Sequence, residues 1–286
     1  MTETLTGKGG GLRLAAKLFW ALVLLACLGF VAQRLWQFDW ASLHAHFSAR
    51  FFLACAGAIG LFACADVLLA RAWAMLADPH GAALRGQRHA IYAHGVLMKY
   101  LPGSIFQYLG RQAQGAKSGL PHGQLARASG IEIALHLASS VMLGLACLAA
   151  AKAPLVAAGV VVAAILIAWQ RPWGWAHPLV LQLTAFACFA ASAGVMAAVV
   201  LPGGIEPMRF AGLFLFAWVA GFVVPVAPGG LGVREAALLA LAGQAIDQSG
   251  LLAAVLALRI TSIGGDVLYA VPAILLGREG RAQNPT

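Results

Sequence analysis

One apolar run, residues 223–235 (VVPVAPGGLGVRE), is broken by two prolines and three glycines and then closed by an Arg-Glu pair. Inside a bilayer no water satisfies the N–H and C=O groups that such a break frees. Backbone can therefore leave the helix at membrane depth only where other protein or a wet cavity takes their place. The break must be buried in a helical bundle, and a binding site is the first function to expect there.

Composition places the run in a membrane. The chain has 286 residues, 61% hydrophobic and only 10% charged, a surface that no soluble domain of this size could present to water. No stretch outside the apolar runs exceeds about twenty residues, which leaves no room for a soluble catalytic or binding domain, so residues 1–286 read as a single integral membrane domain. The net charge of +9 lies in short loops rather than on one basic face, which argues for cytoplasmic orientation and anionic lipid headgroups and against nucleic acid. Cys27, Cys55, Cys64, Cys147 and Cys188 all sit inside apolar runs without CxxC spacing and read as small buried hydrophobes. Lys8, Arg13 and Lys17 precede an apolar run that continues to about Trp36 without a small-residue cleavage site, so it reads as an uncleaved first span.

Six segments are long enough to cross: roughly 14–36, 51–77, 128–150, 154–170, 179–201 and 251–276. Two more, 91–110 and 210–243, are apolar but interrupted. Were 91–110 to cross, the basic loops at 78–90 (Arg85, Arg88) and 111–127 (Arg111, Lys117, Arg127) would face opposite sides. A re-entrant segment keeps both inside. Pro102-Gly103 divides it into pieces of about eleven and seven residues, each near half the hydrocarbon depth. The second segment divides into about 210–227 and 231–243 at Pro228-Gly229-Gly230 and dips in from the opposite face, although its first piece is also long enough to cross. Both segments run Pro-Gly, an apolar stretch, then a Gly and an Arg close together. The expected fold is an all-α polytopic membrane protein of about six full transmembrane helices and two opposed re-entrant broken helices. Its halves, about 14–150 and 154–276, form an inverted repeat.

Ionisable groups inside the membrane are expensive unless paired or hydrated, which makes each a site candidate. Asp66 and Arg71 lie in the second span, Glu132 and His136 stand at i, i+4 in the third, and Arg259 and Asp266 share a face of the last. Such groups can also pair with one another as helix glue. Gly229, Gly230 and Gly232 permit positive φ and leave amide N–H groups bare at the start of the next helix, where Arg234 adds a bidentate partner for phosphate and Glu235 suits the positive helix end. Lys99 lies about one turn from the Pro102-Gly103 break, whereas Arg111 is placed to snorkel to the interface. Lys99, Arg234 and Arg259 are expected to form a cationic midplane pocket balanced by Glu132, Glu235 and Asp266.

His44-x-His46 and His89-x4-His94 lack metal-site spacing, and Ser139-Ser140 lacks the glycines and spaced base of a hydrolase. No Walker loop is present, so no ATP is expected to drive the chain directly, and no metal or cofactor is expected either.

The segments KYLPGSIFQYLGR (99–111) and PGGLGVREAAL (228–238) resemble the two signature regions of the lysylphosphatidylglycerol synthase transmembrane-region family. The likeness extends over nearly the whole chain, and the second motif is the more specific. By motif position it brings forward Pro102, Gly103, Arg111, Pro228, Gly229, Gly230, Gly232, Arg234 and Glu235. The resemblance implies a bacterial inner-membrane protein, multi-pass with both termini cytoplasmic, related to a lipid translocase. Its partner would be an anionic phospholipid or a lipid-linked saccharide. No aminoacyl-transferase domain follows residue 276, so the chain is expected not to synthesise lysyl-lipid and not to be an enzyme. A scaffold subunit of a lipid-modifying complex is the alternative, and a membrane-embedded transferase with Glu132 and His136 as its acid-base pair is the third reading.

Overall fold

The computed structural model describes residues 48–150 and 175–282 except 82, 85, 102–104, 225–226 and 244–245, together with scattered helical positions between 18 and 36. The expected spans at 14–36 and 154–170, and Pro102 and Gly103, thus lie largely or wholly outside the described residues.

All regular structure among the described residues is helical. The elements are α1 (Ala49–Ala77), α2 (Arg88–Met98), α3 (Phe106–Lys117), α4 (His122–Ala150), α5 (Ala176–Val200), α6 (Pro207–Val223), a 3₁₀ turn at Pro228–Gly230, α7 (Val233–Ala242) and α8 (Gln248–Ala282). Four of them, α1, α4, α5 and α8, are long and apolar enough to cross a membrane. This is the build of a helical membrane protein.

Local chemistry sets the ends. The Ser48 side chain accepts from the Phe51 amide at 3.3 Å and starts α1. After α1 the chain turns at Asp78-Pro79, and the Asp78 carboxylate accepts from the Leu84 amide at 2.8 Å. Glu206 caps α6 through the amides of Met208 and Arg209, at 2.9 and 2.6 Å, with Pro207 at the first helical position, where its missing N–H leaves nothing unsatisfied.

Some boundaries differ from those the sequence implies. The second piece of the first interrupted segment does not stop near residue 110 but continues as α3 to Lys117, because Gln112, Gln114 and Lys117 favour helix as readily as loop. Likewise α4 starts at His122 within the expected loop. The second interrupted segment breaks as expected around Pro228, into α6 and α7.

Each half repeats one order: a long helix, a broken pair, a long helix. Packing partners exchange between the halves. The opening helices α1 and α5 pack on each other, the closing helix of each half packs on the first broken piece of the other (α4 on α6, α8 on α2), and α4 and α8 each meet the other half's opening helix. Small residues make these approaches close. A Cβ on Gly212 of α6 would sit 2.9 Å from the Gly144 carbonyl of α4, and one on Gly277 of α8 would strike the Cβ of Ala90 in α2. Helices in lipid associate largely through such van der Waals fit, because burial from hydrocarbon supplies no hydrophobic drive.

A candidate anion site between the two breaks

The two breaks meet. Lys99 ends α2, so its carbonyl has no partner further along the helix, and the Gly229 amide donates to it at 2.6 Å. The Gly229 carbonyl in turn accepts from the Arg259 Nη1 at 3.0 Å. Gly229, Gly230 and Gly232 have φ of 56°, 73° and 81°, which side-chain-bearing residues rarely adopt. A Cβ on Gly229 would lie 3.3 Å from the Tyr100 ring.

Around this junction the intramembrane charges form pairs, though not those a single helix would suggest. Lys99 reaches both carboxylate oxygens of Asp266, Oδ1 at 2.8 Å and Oδ2 at 2.7 Å, and the Tyr100 hydroxyl also donates to Oδ2. Arg259 faces Glu235 at 3.6 Å instead of sharing a contact with Asp266, and Glu235 also accepts from the Gly232 amide at 2.7 Å, holding the start of α7. Arg71 is exposed while Asp66 is buried on another side of α1, so those two do not pair.

Arg111 departs from expectation. It does not snorkel: only 4% exposed, it clasps Glu132 through both terminal nitrogens at 2.9 and 2.8 Å, and the rings of Tyr92 and Tyr108 lie 4.6 and 5.0 Å from its guanidinium. Gly95 makes the room, since a Cβ there would fall 2.9 Å from the Arg111 side chain. His136 donates from Nδ1 to the Glu132 carbonyl at 2.8 Å and stacks on Phe222 with ring centres 6.0 Å apart. Ser140 ties α4 to α6 by donating to the Leu215 carbonyl at 3.0 Å.

Arg234 differs from the other three cations. Its side chain threads between Gly221 and Gly230, either of which would obstruct it with a Cβ, and its guanidinium lies 5.2 Å over the Trp218 ring. It forms no hydrogen bond or ion pair with any described residue, and its Nε is buried without a partner. In the first half the equivalent arginine, Arg111, finds Glu132 on the following helix. In the second half the following helix offers Arg259, already turned to Glu235.

A cavity of about 80 Å³ opens in front of Arg234, bordered also by Asp66, Lys99, Tyr108, Arg111 and His136. That is room for two or three waters, at about 30 Å³ each. A smaller recess bordered by Glu235 and Arg259 also touches Arg234. Arg234 thus borders two spaces.

The expected three-cation pocket is therefore reduced. Lys99 is paired with Asp266 and Glu132 with Arg111, Arg259 lies 3.6 Å from Glu235 with its Nε and Nη2 not hydrogen-bonded, and Arg234 alone of these cations has neither a hydrogen bond nor an ion pair among the described residues. The sequence did not bring forward Trp218 or Gly221. The spacing of Gly221 before the break, matching Gly95 before the other, was the signal available. No family model, curated protein or solved structure matches the chain.

Proposed function

We propose that the protein is a membrane lipid translocase that takes the anionic headgroup of a phospholipid or lipid-linked saccharide at Arg234 and carries it between leaflets. The observation that carries this reading is the unpaired Arg234 guanidinium beside a polar cavity at the junction of two broken helices. An unpaired cation in a low-dielectric interior is costly, and a phosphate offers it bidentate hydrogen bonds and charge neutralisation together. The second recess that Arg234 borders supports a headgroup passing along this side chain.

The proposed frame is an inverted repeat of about six full spans, counting 14–36 and 154–170, in which two broken pairs enter from opposite faces. The exchanged packing of the halves, and the glycine that admits an arginine in each broken pair, support it. At seventeen residues α6 reaches about 25 Å, short of the ~30 Å hydrocarbon core, which favours re-entry over a full crossing. The basic loops support cytoplasmic termini, and the bacterial inner-membrane setting is what the family resemblance implies.

Arg234→Ala is expected to abolish headgroup translocation in proteoliposomes while the protein still expresses and folds. Normal translocation by that variant sinks the assignment. The closed pairs around Lys99 and Arg259 favour a second reading, an accessory scaffold, because such pairs also serve to lock helices. Complementation by a variant with Lys99, Arg234 and Arg259 all neutralised would select it.

A further inference from the structure

Arg259 keeps unfilled donors at the second break. Its Nη1 donates to the Gly229 carbonyl, yet Nε and Nη2 are buried without a hydrogen-bond partner, and Glu235 stands 3.6 Å from Nε, beyond hydrogen-bond reach. The Nε of Arg234 is buried and unpartnered as well. Successive glycines of the 3₁₀ turn face the two side chains: a Cβ on Gly229 would lie 3.4 Å from the Arg259 Nη2, and one on Gly230 would lie 2.7 Å from the Arg234 Nε. The two guanidinium groups are thereby electrostatic neighbours of like charge. Two such charges in an apolar interior are unfavourable without an anion beside them.

Both arginines border the smaller recess, together with Glu235 and the half-buried Ser262, and the rest of its wall is made of apolar side chains from α6, α7 and α8. Its volume of about 30 Å³ leaves room for one water-sized group such as a phosphate oxygen. Elsewhere around the breaks, charge is matched. Arg111 is paired with Glu132. Asp66 is hydrogen-bonded to Asp266, so a proton lies between these carboxyls and together they carry one negative charge, which Lys99 meets. Arg234, Arg259 and Glu235 remain, two cations and one carboxylate, with one positive charge unmatched.

We propose that Arg259 joins Arg234 in binding the lipid phosphate, one oxygen of which enters the recess that both border, and that the site selects a singly charged phosphodiester over a doubly charged terminal phosphate. The inference rests on the reading of Arg234 given above. Unfilled donors on two guanidinium groups match the two non-bridging oxygens of a diester, and its single negative charge brings the group to neutrality. A terminal phosphate carries close to two charges above its second pKa of about 6, and the second would stay uncompensated in a low-dielectric interior. Glu235 thus sets the charge of the ligand, while its carboxylate also holds the Gly232 amide.

Calorimetry of the purified full-length protein compares dioctanoyl-phosphatidylglycerol with dioctanoyl-phosphatidic acid at about pH 8, where an ordinary histidine is neutral and a phosphate monoester is a dianion. The diester is expected to bind at least about tenfold more tightly, and Arg259→Gln to lose about tenfold of that affinity. Glu235→Gln, which removes the charge but keeps an acceptor for the Gly232 amide, is expected to narrow or reverse the preference. Phosphatidic acid bound as tightly by the wild type, or diester affinity unchanged in a folded Arg259→Gln, overturns the proposal, and loss of diester binding in Arg234→Gln then leaves the Arg234 reading intact. Absence of wild-type binding to either lipid, or binding undiminished in Arg234→Gln, overturns that reading and this one with it. Glycerophosphoglycerol, the same diester without acyl chains, separates a lipid from a free phosphodiester: weaker binding supports the lipid, and binding as tight as the lipid's overturns it as the source. Should Arg259→Gln not fold, Glu235→Gln decides, a narrowed preference supporting the proposal and an unchanged one overturning it.

Discussion

The Gly229 amide donates to the Lys99 carbonyl at 2.6 Å, so the break in one helix pair satisfies a backbone group that the break in the other leaves bare. Irregular backbone in an apolar setting is stable only when its polar groups find partners, and here two interruptions far apart in sequence supply one another. The same contact brings Lys99, Tyr100 and Arg259 around one glycine and so builds the wall of the cavity.

Gly229→Ala tests that junction. Its positive φ penalises any side chain by about 1–2 kcal/mol, and the added Cβ presses on the Tyr100 ring. Thermal unfolding in detergent should fall by several degrees, and an unchanged midpoint would mean that the two breaks do not meet.

Removing one member of a buried ion pair leaves an uncompensated charge. Arg111→Met strands Glu132, which is 1% exposed, and should cost about 3–5 kcal/mol. Lys99→Met should cost less, because the Lys99 side chain is 26% exposed and Tyr100 still donates to Asp266. Equal destabilisation in chemical denaturation would contradict this difference in burial.

Gly221→Ala keeps every charge but places a methyl group against the Arg234 side chain. If translocation depends on where the guanidinium sits, this variant should lose about tenfold in rate, ΔΔG‡ of ~1.4 kcal/mol, while folding normally. Full activity would show that charge alone suffices.

Single cysteines introduced into a background lacking the native ones report topology. The proposed orientation predicts that His80→Cys and His122→Cys react with an impermeant thiol reagent from one face of the membrane, and Pro202→Cys and Ser249→Cys from the other. Labelling of His80→Cys and His122→Cys from opposite faces would turn α2 and α3 into a full crossing.

The sequence by itself determined the membrane setting, the helical class and the places where helices break, since apolar length, proline and glycine act locally and need no partner to exert their effect. It also pointed to Arg234 through the three glycines before it. Which charge was free was beyond its reach. Arg111 looked interfacial from its position at the end of an apolar segment, yet it is buried because Gly95 and Glu132, on two other helices, make room and a counter-charge for it. Arg259 and Asp266 share a helix face but each is claimed by a residue from a different break. Pairing of buried charges is decided by which helices pack together, and a one-dimensional pattern does not contain that. Only the assembled bundle, by pairing Lys99 with Asp266 and Arg111 with Glu132, left Arg234 bordering the cavity without a hydrogen bond or ion pair among the described residues.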